Sequence, residues 1–344
     1  MLTVSLDIHS GTSQMAVVGE KGELIVEMKV ATTRAALAEA VDAVGDPKRV
    51  VYEQGPLARL VEDALAGRCE ELICADPSHN ALIACAEDAS DERDARRLAT
   101  LAQVDSVRRV RIPPEPYRSL RSLLVYAHRL TNDMAKVKNR IKGVYRSEGV
   151  ACKGKQVYGR RRREEFRKAV RSGAVRWQLE SLYRNLDALA LERRETRAQI
   201  AKLTRGLPVV RRLRQIPGVG TVTSQTLVAW IFDPSRFKSL SALSSFGGLG
   251  LGQGSTNWKP VGRARASKRG NREVKNVLMI AARAAQRTDT RLGARARARL
   301  EAGWDISKVR RDIARTILEI ACAMWMKETD YDDSKVSVPS RKKH

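Results

Sequence analysis

Aromatic side chains make up only 5% of the 344 residues, and the chain holds four histidines and five cysteines. So few rings give little support for base stacking as a main mode of nucleic-acid binding. Cys69, Cys74, Cys85, Cys152 and Cys322 are odd in number, scattered, and nowhere in a C-x-x-C spacing. That argues against a disulfide framework or a cysteine zinc site and leaves core or surface thiols. No apolar run reaches the length of a membrane span, and Met1 to Leu6 lead straight into an alternating strand pattern rather than a signal peptide. A cytoplasmic protein with no membrane partner is expected.

Charge is abundant. The chain is 43% apolar and 30% charged, with a net charge of +25, and is long enough for two or three domains with buried cores. Residues 1 to 107 carry 10 Lys/Arg against 19 Asp/Glu, and the remainder carries 54 against 20. An acidic unit is thus joined to a strongly basic one. A basic excess of that size points to a polyanion partner, nucleic acid above all, because each neutralised phosphate releases counterions. A merely solubilising surface is the plainer alternative.

Leu2, Val4 and Leu6 alternate with polar residues up to Asp7, and short apolar runs follow at Met15 to Val18 and Leu24 to Met28. These read as a three-strand meander. A helix pattern from Arg34 to Ala43, a strand from Arg49 to Glu53, a helix from Leu57 to Ala66 and a strand from Glu71 to Asp76 complete a β-β-β-α-β-α-β order. Such an order suits a mixed sheet flanked by helices. Asp7 ends the first strand and Glu53 the fourth. Asp91 and Asp94 stand three apart in a helix-forming run, so they share one helix face. If strands one and four are neighbours, the four acids can converge, and an oxygen-only cluster suits Mg²⁺ or Mn²⁺ and phosphodiester chemistry. Any one acid among 19 is more often surface charge; the joint placement of four favours the metal reading. His9, two residues after Asp7, could face the same site, although a lone histidine at a strand end is usually incidental.

Arg108 to Pro114 mark a boundary. Beyond it, Leu120, Leu123, Ala127, Leu130, Met134, Val137 and Ile141 recur at three- and four-residue intervals, and Leu179 to Leu203 repeat the habit less strictly. Two long amphipathic helices, paired with each other or with another subunit, are expected. Between them, Arg160, Arg161, Arg162 and Arg163 lie in a glycine-broken basic segment suited to phosphate contact. Ile216-Pro217-Gly218-Val219-Gly220-Thr221 resembles a helix-hairpin-helix turn, whose backbone N–H groups at Gly218 and Gly220 suit a phosphate. Glycines then crowd Gly247 to Gly254, which forbids a stable helix and reads as a loop; the spacing is a weak nucleotide-loop hint with no P-loop Lys after it. Arg263, Arg265, Lys268 and Arg269 form a further basic cluster that opens a helix near Arg272.

Asp7, Glu53 in Val51-Tyr52-Glu53-Gln54-Gly55, and Asp91-x-x-Asp94-Ala95-Arg96, followed far downstream by a serine before a Gly-Arg…Ser-Lys segment, resemble the DEDD transposases of insertion elements, the Piv/MooV invertase group whose members are guided by a bridge RNA. The resemblance implies an α/β plus α architecture in three parts. Residues 1–107 would be an RNase-H-like, RuvC-like catalytic domain with Mg²⁺ on the four acids. Residues 108–207 would be a helical coiled-coil and basic region for dimerisation and guide-RNA contact. Residues 208–334 would be a mainly helical transposase domain with a glycine-rich nucleophile loop. Residues 335–344, by their own composition, read as a disordered basic tail.

It also implies that a serine attacks a DNA phosphodiester. Ser255 is the choice; counting back from Ser267-Lys268 lands on Thr256, so the two remain alternatives. Such a hydroxyl needs activation, and the acidic site, from the same or a neighbouring subunit of a dimer or tetramer, would supply it. Expected partners are donor and target duplex DNA and a bridge RNA, with a bacterial, nucleoid-associated location when DNA is bound. A Mg²⁺-dependent nuclease acting on branched DNA without a serine adduct, and a non-enzymatic nucleic-acid-binding protein, are the competing readings.

Overall fold

The structure, a computed structural model, describes residues 1–76, 91–103, 107–256, 259–266 and 270–339; at 91–94, 96, 97, 251–256 and 259–266 it describes the backbone alone. The chain falls into two compact units, Met1–Ile112 and Pro113–His344.

The first unit is built on strands β1 (Leu2–Asp7), β2 (Thr12–Val18), β3 (Leu24–Ala31), β4 (Lys48–Glu53) and β5 (Glu71–Ala75), in the sheet order β3-β2-β1-β4-β5. The β1-β2-β3 meander is antiparallel, whereas β1-β4 and β4-β5 run parallel. Alternation sends Val4, Leu6, Val50 and Tyr52 to one face, where they pack with Leu37 and Val41 of α1 (Arg34–Asp42) and Val61 and Leu65 of α2 (Ala58–Leu65). Thr33 caps α1, its hydroxyl accepting from the Ala36 N–H at 3.2 Å. On the other face Val51, Ile73 and Ala75 meet Leu98 and Ala102 of α3 (Asp91–Gln103). This three-layer, mixed-sheet arrangement is RNase-H-like, as expected.

The second unit begins with two long helices, α4 (Tyr117–Ser147) and α6 (Gly173–Arg205), packed along one another. At 1.5 Å per residue each spans about 45–50 Å. Their far end has its own core, Met134, Val137, Ile141, Tyr145, Leu179, Tyr183 and Leu186, closed by Val157 and Val170 from the connecting segment that contains α5 (Arg163–Lys168). Their near end belongs to a larger core with α7 (Pro208–Leu213), α8 (Thr221–Ile231), α9 (Leu240–Phe246), α10 (Arg272–Ala285), α11 (Arg291–Glu301) and α12 (Ile306–Lys327).

Two expectations change here. The glycine run read as a loop is in part a strand: β6 (Leu251–Thr256) pairs antiparallel with β7 (Lys259–Ala266), and the register slips between Gly252 and Gly254. Glycine suits such a bulge, and pairing with a partner strand overrides the local preference for coil. The tail read as disordered from Lys335 is, through residue 339, partly packed: Val336 is buried, and its carbonyl accepts from Arg291 Nε at 2.7 Å. No helix among the described residues is long and apolar enough to cross a membrane.

Candidate active site and nucleic-acid interface

Parallel pairing of β1 with β4 sets Ser5 opposite Val51 and Leu6 opposite Tyr52, so Asp7 and Glu53, one residue on, end neighbouring strands. By the two-residue period, both follow residues of the α3-covered face. The direction of α3 can be read from its far end. Gln103 Nε2 donates to the Gly19 carbonyl at 2.5 Å, just past β2, and Arg49 Nη1 at the start of β4 donates to the Ala102 carbonyl at 2.7 Å. The C-terminus of α3 therefore lies over the N-terminal ends of β1 and β4. Its first turn, with Asp91 and Asp94, accordingly stands at the end of the sheet that carries Asp7 and Glu53. Asp91 is one turn before buried Ala95, and Asp94 one turn before buried Leu98, so both positions fall on the sheet-facing stripe. Among the described residues no group of three His, Cys, Asp or Glu side chains is close enough to hold a metal; the set includes two positions described by backbone alone.

Two neighbours of Asp7 carry more information than their sequence suggests. His9 Nε2 lies 3.0 Å from Asp7 Oδ2, which favours the first of its two sequence readings, a histidine facing the site. Gln14 is Asp7's direct partner on β2 and is 5% exposed, yet its Oε1 has no hydrogen-bond partner among the described residues. A buried orphan acceptor costs about 1–3 kcal/mol. It is an oxygen donor beside a carboxylate end that suits a hard cation or its bound water, and the donor chemistry fits Mg²⁺ or Mn²⁺. Only strand pairing reveals Gln14; in sequence it is one amide in an apolar run. Beneath the site, on the α1/α2 side, Tyr52 is fully buried and donates to Glu62 Oε1 at 2.6 Å, and burial pushes the Cys74 thiol up to about 11. Cys74 and Cys322 are buried free thiols and Cys69 and Cys152 half-buried ones; Cys85 lies outside the described residues.

The four consecutive arginines separate into different roles. Arg163 is only 14% exposed, bonds both oxygens of Asp187, and lies over the Tyr183 ring at 4.4 Å. Offered by the sequence as a phosphate contact, it braces the helix-pair tip, its charge paired with Asp187 and one face set against Tyr183. Arg162 is tied to Glu165 and Gln156. Arg160 reaches Asp187 at 3.5 Å while staying 80% exposed, and Arg161 is exposed.

The Ile216–Thr221 turn joins α7 to α8. Gly218 has φ +84, and a Cβ there would overlap the Ala281 carbonyl oxygen and the Ala285 backbone nitrogen of α10. Gly218 is therefore required by backbone conformation and by close helix packing. Gly220 is exposed and begins α8 without a side-chain cap, so no side chain caps the first N–H groups of that helix.

Ser255 and Thr256 pair with Pro260 and Lys259 beside the two-residue connection of the β6–β7 hairpin. Arg263 and Arg265 lie on β7, while Lys268 and Arg269 are outside the described residues. The feet of the hairpin are held together. The Asn271 N–H donates to the Phe246 carbonyl at 2.6 Å, and a Cβ on Gly270, at φ +110, would come within 2.6 Å of Gly248 Cα.

Comparison with known families agrees with this architecture. Residues 4–147 match a family described as a transposase, of the DEDD type of IS110, and residues 210–297 match the Transposase IS116/IS110/IS902 family. No curated protein matches the chain. The first match spans the strands, α3 and its acids, and the second spans the helix-turn, the hairpin and α10. The chain belongs to the DEDD transposases of insertion elements.

Proposed function

We propose that this transposase cuts and rejoins DNA through a covalent Ser255–DNA intermediate, with a divalent metal on Asp7, Glu53, Asp91 and Asp94 and a bridge RNA choosing the sites. The observation that carries the metal reading is the antiparallel lie of α3 over β1 and β4, which gathers all four acid positions at one end of the sheet. Asp7, Glu53, Asp91 and Asp94 would hold the Mg²⁺ or Mn²⁺, which would supply polarisation of a phosphate oxygen. In the strand-transfer step the serine oxygen forms a bond to phosphorus while a deoxyribose oxygen leaves with a proton. An incoming deoxyribose hydroxyl then displaces the serine, so the energy of the broken phosphodiester is kept in the ester.

The placement of Ser255 beside the tip of a hairpin whose feet are pinned suits a nucleophile that must reach a backbone phosphate. The basic excess after residue 107, to which Lys268 and Arg269 belong, the exposed Arg160 and Arg161, the uncapped start of α8 and the place of Arg263 and Arg265 on β7 support contacts to DNA and RNA; a dimer or tetramer working in the cytoplasm is part of the same proposal.

Incubating the full chain with cognate DNA, its RNA and Mg²⁺ tests this. A protein–DNA adduct that survives denaturation is expected, lost in Ser255→Ala and in Asp7→Asn but kept in Thr256→Val. Free cut ends without an adduct would establish the nuclease instead, and an adduct persisting in Ser255→Ala but lost in Thr256→Val would move the nucleophile one residue. Sequencing RNA that co-purifies with the protein tests the guide.

A further inference from the structure

Between the end of α6, the short α7 and the start of α8 lies an open pocket of about 480 Å³, whose arginines the proposed function does not use. Its size falls within the roughly 300–1,000 Å³ of small-ligand pockets, far more than a lone phosphate requires. Three arginines line it, Arg205, Arg211 and Arg214, and no carboxylate does. None of the three makes an ion pair or a side-chain hydrogen bond among the described residues. Arg212, on the same short helix, shows what neutralisation looks like: its guanidinium lies 4.0 Å from Asp330. Three adjacent unneutralised cations repel one another, an arrangement that an anion relieves.

The rest of the lining is unlike a surface charge patch. Leu207, Pro208 and Val210 give an apolar floor, and Thr204 and Gln225 form a buried polar corner joined by a 3.1 Å hydrogen bond from Gln225 Nε2 to Thr204 Oγ1. Thr221, the first residue of the uncapped α8, closes the rim. Cations with backbone N–H groups on the rim, an apolar floor and one polar corner match a phosphate joined to a flat, partly polar ring. We infer that this cavity holds a single unstacked nucleotide, its base on the floor beneath an arginine plane and its phosphate between Arg211, Arg214 and the start of α8. It would thereby mark a bulge or a flipped base in a bound strand, in DNA or RNA. This rests on the reading of the chain as a nucleic-acid-binding transposase, and adds a contact to an unpaired position that duplex phosphate binding does not require.

The test uses the full chain and fluorescence anisotropy with four labelled hairpins, RNA and DNA, each with and without one bulged nucleotide. The wild type is expected to prefer a bulged over its paired form by about tenfold, the size of one base stack. The larger preference, in RNA or in DNA, identifies the strand that fills the cavity. Ala201→Phe fills the cavity from the exposed face of α6 and should abolish the preference while leaving affinity for paired hairpins unchanged. Arg211→Ala should weaken binding of the bulged form more than the paired one, and Arg211→Lys should restore only part of it. Equal affinity of the wild type for bulged and paired forms overturns the proposal, and so does a preference that survives Ala201→Phe in a protein with wild-type circular dichroism. Failure of the wild type to bind any of the four would instead overturn the nucleic-acid reading.

Discussion

Arg163 and Asp187 hold each other through two hydrogen bonds, Nη1 to Oδ2 at 2.7 Å and Nη2 to Oδ1 at 2.8 Å, across the segment that joins the two long helices. Arg163 also donates to the Tyr158 carbonyl, and Tyr183 beneath it donates to the Val157 carbonyl at 2.8 Å. The tip of the helix pair is thus a small core with an ionic lid.

Replacing Arg163 with Ala should cost about 1.5–3 kcal/mol in urea unfolding, the range for charge-assisted bonds. Arg160→Ala, at an exposed site, should change stability by less than about 0.5 kcal/mol. The Arg163 hydrogen bonds hold the Asp187 carboxyl below its usual range. A carboxylate lowered on folding stabilises fully above its unfolded value, near pH 4, and loses that contribution as pH falls through the lower folded one. The stability gap between wild type and Asp187→Asn should therefore be constant above about pH 5 and close below about pH 4.

Gly218 and Gly220 sit two residues apart in one turn but should respond oppositely to alanine. Gly218→Ala combines an αL penalty with a collision against α10, and a loss of about 3 kcal/mol is expected. Gly220→Ala meets nothing within 4 Å and should be near neutral for melting temperature. If Gly220 contacts phosphate through its backbone, the substitution should also leave DNA affinity almost unchanged.

Thermal shift separates the metal site from the fold. Mn²⁺ should raise the melting temperature of the wild type but not of Asp7→Asn or Glu53→Gln, whose metal-free forms should melt no lower than the wild type, since one of two neighbouring like charges is gone. Gln14→Leu removes the buried orphan oxygen and should stabilise the metal-free protein by about 1–2 kcal/mol while weakening Mn²⁺ binding about tenfold. Unchanged Mn²⁺ affinity would make Gln14 a packing residue only.

Salt dependence tests the basic tip. Replacing both Arg160 and Arg161 with Ala should lower the slope of log affinity against log salt by about two on duplex DNA, near 0.9 for each phosphate that is no longer neutralised. An unchanged slope would remove the tip from the nucleic-acid interface.

The first unit is legible in sequence because its signals are local: alternation in Leu2–Asp7, the apolar run of Lys48–Glu53 and the helix pattern at Arg34–Asp42 each name their element without help from elsewhere. The long helices are legible for the same reason, through the three-and-four spacing from Leu120 to Ile141. What sequence does not show is pairing. The neighbourhood of β1 and β4 can be posed only as a condition, and Gln14 gains meaning only opposite Asp7. The Leu251–Thr256 segment reads as coil because its glycines have no strand preference of their own and take one from Lys259–Ala266. The bracing role of Arg163 is not legible in sequence because a run of four arginines looks uniform until burial divides it.

Pinning Gly270 against Gly248 means that the segment carrying Ser255 enters and leaves its domain at a single point. Such an arm is a cassette. A hairpin of different length or composition could be spliced between the same two glycines without asking α9 or α10 to move.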